Sequence, residues 1–234
     1  MVRNFYSQYD GHLCVGMEKP FGTKKGAYTM KLTGESKLFL GILVVTVALV
    51  GIAAILLTKP APTFSRDDLL PKTTHTKGNT EAKVYLVEFS DFQCPACLAA
   101  KPAVEAVVNK YKDTLLFGYR HFPLAQHPFG EKAAIAAEAA GLQGKFWEAY
   151  EFLFTNQAAF SDEFFAKLPA SLGLDETAYA KAVADPATKN RVLDDLTAGN
   201  RVGVNATPTF FVNGKKLNLT SFTDLKTAVE QALK

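Results

Sequence analysis

The longest apolar stretch, Leu38 to Leu57 (LFLGILVVTVALVGIAAILL), runs twenty residues without a charge. As a helix rising about 1.5 Å per residue it matches the roughly 30 Å hydrocarbon core of a bilayer. The pattern predicts a transmembrane helix at 37–58. A cleaved signal peptide fits less well: 36 residues precede the apolar core, the core is long for a signal, and Lys59-Pro60-Ala61-Pro62 is a poor cleavage site. Residues 1–36 are polar, with glycines at 11, 16, 22, 26 and 34 and no regular period, and read as a mobile cytoplasmic tail. Lys24, Lys25, Lys31 and Lys37 flank the run on that side and Lys59 alone on the other, so the positive-inside rule leaves everything after it outside the cytoplasm. Residues 59–80, with Pro60, Pro62 and Pro71 among polar residues, read as an extracytoplasmic linker carrying a short helix near Asp67 to Leu70.

A folded domain is expected over 81–234. KVYLVEFS, residues 83–90, has the β-branched and aromatic content of a buried strand. PACLAAKPAVEAVVNKY follows with helical spacing from Pro95, a residue suited to a first turn, and Pro102 is expected to kink the helix. LLFGYRHF, residues 115–122, predicts a second strand. Ala-rich and amphipathic runs, broken at Gly141, Gly144, Pro169, Gly173 and Pro186, predict a helical insertion over about 128–200. TPTFFVNGKKLN then predicts two strands joined at Asn213-Gly214, a dipeptide that accepts the positive φ angles of a tight hairpin. A last helix over Ser221 to Leu233 completes an α/β order, and no internal repeat interrupts it.

The formal net charge of +3 resides before residue 58, which leaves the domain neutral and without an electrostatic case for nucleic acid. Phe92, Phe122, Trp147, Phe152 and Phe154 have the spacing of core aromatics, and His75, His121 and His127 read as loop or capping residues.

Of three cysteines, Cys14 falls in the tail and reads as a free thiol, while Cys94 and Cys97 form the one close pair. At a helix start, unpaired amides and the helix dipole favour the thiolate of Cys94. That makes Cys94 the nucleophile or preferred leaving group, with Cys97 resolving the mixed disulfide a turn later. A structural zinc with His121 and His127 is the competing reading, but the domain has no second cysteine pair to complete four ligands.

VEFSDFQCPAC, YRHFPL, GKFWEAYEFLF and VNATPTFFVNG, in that order, resemble the DsbA-like thioredoxin family of thiol-disulfide oxidoreductases over about residues 75–234. The resemblance implies a thioredoxin-like α/β fold with an inserted helical subdomain. It implies a cis-proline at Pro208 opposite the cysteines that keeps metal away, and a Thr207 backbone that pairs with extended substrate. Pro95 and Ala96 would face the client, and Glu88 would be a buried acid that relays the proton of Cys97. Expected partners are exported proteins with thiols or disulfides and a membrane redox partner, either a quinone-linked reoxidase or an electron donor; no cofactor is expected. Pro-Ala stands where the family's strongest oxidant has Pro-His, which removes a cation beside Cys94 and argues for a less oxidising couple. Oxidase is the leading direction, with reductase or isomerase, and then a zinc-holding non-enzymatic domain, behind it.

Overall fold

The computed structural model describes residues 33–57 and 62–234, in two units taken separately. The expected tail, its flanking Lys24, Lys25 and Lys31, Cys14 and linker residues 58–61 lie outside the described residues, save for the tail's last positions. The first unit carries α1, Gly34–Leu57, whose described side chains from Leu38 onward are exposed and, Thr46 aside, apolar. A 24-residue helix is about 36 Å long, enough to cross a bilayer.

In the second unit a five-stranded sheet has the order β1-β3-β2-β4-β5, with β1 His75–Gly78, β2 Val84–Ser90, β3 Leu115–His121, β4 Thr209–Val212 and β5 Lys215–Lys216. Only β2 and β3 pair in parallel; α3, Pro95–Lys110, makes the crossover between them and runs on through Pro102. Both central strands are buried along their whole length, as strands covered on two faces must be. Val84, Leu86, Phe117 and Tyr119 pack with α3 and the insertion, while Tyr85, Val87, Phe89 and Leu116 pack on the other face with Leu69, Phe122 and Phe211. Between β3 and β4 the chain inserts α4 Gly130–Gly141, α5 Phe146–Thr155, a 3₁₀ turn Gln157–Ala159, α6 Asp162–Ser171, α7 Glu176–Ala184 and α8 Pro186–Arg201. After the hairpin, whose Asn213 and Gly214 sit at φ 46° and 82°, α9 Asp224–Ala232 packs against α3.

The linker reading fails over its larger part. Thr63 bridges Lys215, the Phe64 ring meets Phe211 edge-on at 5.8 Å, Ser65 caps α2 Arg66–Leu69, and β1 pairs antiparallel with β3. A few anchors, chiefly the fully buried Leu69, override a composition that otherwise favours solvated chain. Phe92, Phe122 and Phe154 are buried, and Trp147 and Phe152 pack against the core half-buried.

Candidate active site

The end of β2 delivers Asp91, Phe92 and Gln93 to the start of α3, where Cys94 occupies the N-cap position in extended backbone and Pro95 the first turn. The Cys94 carbonyl accepts from the amides of Cys97 and Leu98 at 3.1 and 3.2 Å. Pro95 and Ala96 are exposed, Cys94 is 6% exposed and Cys97 1%. The Thr207-Pro208 bond is cis, and as a thiol Cys94 donates from Sγ to the Thr207 carbonyl at 3.4 Å. The loop before β4 therefore lies against Cys94.

The two sulfurs have opposite proton affinities. A hydrogen bond from the Cys97 thiol brings Cys94 down to about 5 against the opposing effect of burial, with help from the Thr207 side chain and the amides of Cys97 and Ala96. Burial pushes Cys97 far above the ordinary thiol range, and the Cys94 sulfur and the Glu88 charge add to it. The pair thus holds one proton between two sulfurs at neutral pH, with the charge on the outer one. Glu88, on the Cys97 side of β2, is 2% exposed, and burial raises its carboxyl to about 7, with the Ser90 hydroxyl opposing.

The segment Asp91 to Cys94 is held by the insertion and the loop leading to it. The fully buried Asp91 carboxylate accepts from the amides of Gln93 and Leu124, both at 2.8 Å, and meets His127 Nδ1 at 2.7 Å. Gly130 makes room for this: a Cβ there would come within 2.8 Å of the Asp91 carboxylate. Gln93 Oε1 accepts from the Phe129 amide at 2.6 Å, and Gln157 Nε2 donates to the carbonyls of Phe92 and Cys94 at 2.8 and 3.0 Å.

Of the three histidines expected as loop or capping residues, His127 lies in a loop, while His75 and His121 lie on strands. His75, on β1, stacks on Phe146 with ring centroids 3.4 Å apart, and His121 ends β3. Both turn Nε2 to Glu138 Oε1 at 2.9 Å, while His127 turns to Asp91, so neither His121 nor His127 is directed at the cysteines as the zinc reading requires. Sequence pattern does not single out Asp91, Gln93, Glu138 or Gln157. The one signal it offers is a lone glutamate in the run AAIAAEAA around Glu138.

Residues 71–231 match the family model described as Thioredoxin. A thioredoxin-like oxidoreductase from Silicibacter pomeroyi DSS-3 is 27% identical with TM-score 0.62, the match covering 72% of this chain and 98% of that one. The thiol-disulfide exchange protein alpha-DsbA2 from Wolbachia pipientis is 22% identical with TM-score 0.64, over 71% and 91%. A chain named Na(+)/H(+) antiporter NhaA 1, from Mycolicibacterium gilvum (strain PYR-GCK), is 39% identical over 149 residues, which are 62% of this chain and 24% of that one. This chain thus spans about a quarter of the length of the curated relatives it matches. The chain belongs to the thioredoxin family, and its fold is that of the DsbA-like thiol-disulfide oxidoreductases.

Proposed function

We propose that the domain catalyses dithiol-disulfide exchange on exported proteins outside the cytoplasm, as a disulfide-forming oxidase anchored by α1. One arrangement carries the direction: Cys94, at the helix start and accepting from the Cys97 thiol, is lowered to about 5, while burial raises Cys97. A couple whose reduced form is stabilised in this way favours the dithiol, so its disulfide is an oxidant despite the Pro-Ala dipeptide. A client thiolate attacks Cys94 Sγ, the Cys94-Cys97 bond breaks, and Cys97 leaves with the electron pair and takes a proton. The second client thiolate then attacks the client sulfur of the mixed disulfide and releases Cys94 as thiolate. The electron pair stays on sulfur throughout, so the exchange requires no cofactor.

In this reading Glu88 supplies the proton to Cys97, the Thr207 backbone pairs with an extended client segment, Pro208 excludes metal, and Pro95 and Ala96 form the contact edge. A membrane redox partner, quinone-linked, restores the disulfide. The length and apolarity of α1, the basic residues before it, and the likeness to chains named as Na(+)/H(+) antiporters support a membrane setting with the domain outside.

The redox state of the pair in cells, read by acid-trapped thiol alkylation, tests the direction. Mostly disulfide is expected; mostly dithiol sinks the oxidase reading and favours a reductase or isomerase fed by an electron donor. Carbonate-washed membranes should retain the chain, with protease reaching residues after 58 from the outer side alone.

A further inference from the structure

Behind Cys97, Glu88 lies opposite Tyr119 and Ser90 opposite His121 in the parallel pairing of β2 and β3. Alternate residues of a strand share a face, so all four point to the side of the sheet that carries α3 and Cys97. Each is at most 2% exposed, and each ends in a polar atom with no hydrogen-bond partner among the described residues: Glu88 Oε2, Ser90 Oγ, Tyr119 Oη and His121 Nδ1. Such atoms are costly when left bare and are rare in native proteins. Four on adjacent strands, about 4.8 Å apart, form one patch in which single waters can bridge neighbours. The Ser90 hydroxyl sits at its centre, near enough to Glu88, Cys97 and Tyr119 to lower the proton affinity of each although it makes no well-formed hydrogen bond with any of them.

The patch connects outward. His121 Nε2 meets Glu138 Oε1 at 2.9 Å, the same oxygen meets His75 Nε2 at 2.9 Å, and Glu138 Oε2 meets Arg191 Nε at 2.7 Å. Exposure rises along this series, from 4% at Glu138 to 19% at His75 and 33% at Arg191. Burial works against the Glu138 charge, yet its contacts with His121 and His75 hold the carboxyl well below the usual range. Glu138 is faced by His75 from β1, His121 from β3 and Arg191 from α8; Glu88 is faced by the cysteines of α3, Tyr119 of β3 and Tyr150 of α5.

We propose that Glu88, Ser90, Tyr119, His121, Glu138 and His75, bridged by water where they do not touch, form an internal proton route between Cys97 and solvent at His75. The inference rests on Glu88 as the proton donor to Cys97. When Cys97 leaves as thiolate it takes the Glu88 proton, and the Glu88 carboxylate recovers one along the route. When the pair is reoxidised, the Cys97 proton returns to Glu88 and leaves the same way. No electron travels the route, and one proton enters and one leaves per cycle.

The test is the rate at which dithiothreitol reduces the disulfide form of the full chain, in H₂O and D₂O across pH 6–9, for wild type, Ser90→Ala, Tyr119→Phe, His75→Gln and Glu88→Gln. Ser90→Ala and Tyr119→Phe delete one unpaired oxygen each, so folding should survive. His75→Gln is chosen at the exposed end for the same reason. Ser90→Ala and His75→Gln are expected to react roughly tenfold more slowly with an enlarged solvent isotope effect, and imidazole should partly restore His75→Gln. Wild-type rates in both, with Glu88→Gln slow, overturn the route and leave the Glu88 role standing. A wild-type rate in Glu88→Gln overturns that role and the route with it.

Discussion

The loop in front of Cys94 and the pocket behind Cys97 are a few residues apart in sequence and are built by opposite rules. In front, Asp91 and Gln93 are paired, and Gln157 takes the carbonyls of Phe92 and Cys94. Behind, Glu88, Ser90, Tyr119 and His121 each leave a polar atom unpaired. A fully paired loop fixes the position of Cys94; an under-paired pocket leaves protons free to change owner. The difference fits the function proposed, in which Cys94 meets a client in one geometry and Cys97 exchanges a proton inside the core.

The largest effect should come from the sulfurs: Cys94→Ser is expected to abolish insulin reduction, and full activity in that variant removes Cys94 as nucleophile. Cys97→Ser should instead accumulate mixed disulfides with clients, visible on non-reducing gels.

Breaking the paired side comes next. Asp91→Ala strips a buried acceptor from two amides and His127, and should lower stability by about 3 kcal/mol in urea unfolding. A loss under about 1 kcal/mol would mean that the loop is held by other contacts.

The unpaired side should respond with the opposite sign. Glu88 has a folded value of about 7 against an ordinary 4.5, so folded protein keeps a proton that unfolded chain releases. Its favourable contribution is whole below 4.5 and is lost as pH rises through 7. Glu88→Gln should therefore match wild type near pH 4.5 and exceed it at pH 8.5, by on the order of 3 kcal/mol. Parallel stability curves for the two proteins would contradict this.

The smallest effect is assigned to Gln157→Ala, about 1 kcal/mol of stability, with the thiolate absorbance of Cys94 titrating higher than in wild type. An unmoved titration would leave Gln157 as packing alone.

Features written in short-range pattern are legible in the sequence itself. β2, α3, β3, the Asn213-Gly214 hairpin and the broken helical run between them follow from periodicity and punctuation, and Cys94 and Cys97 from spacing. What escapes such a reading is held by partners far along the chain. His75 and Glu138 are 63 residues apart, Gln157 and Cys94 are also 63 apart, and no local window contains either pair. Residues 63–80 escape for a related reason: polar chain becomes strand and helix only because Leu69 and Phe64 find pockets on the sheet. A carboxylate inside an alanine helix is visible in the sequence, but that it serves two imidazoles and Arg191 is not.

The segment that enters the domain has a further consequence at the sheet's edge. Thr63 bridges Lys215, and the Phe64 amide donates to Gly214 at 2.9 Å, so the outer side of β5, only two residues long, is already occupied. An open strand edge recruits any extended chain that drifts past it. On the function proposed, extended clients would adhere along such an edge. With that edge shut by its own leading segment, a client of the proposed exchange is left the cysteines and the Thr207 backbone, where binding can end in chemistry and release.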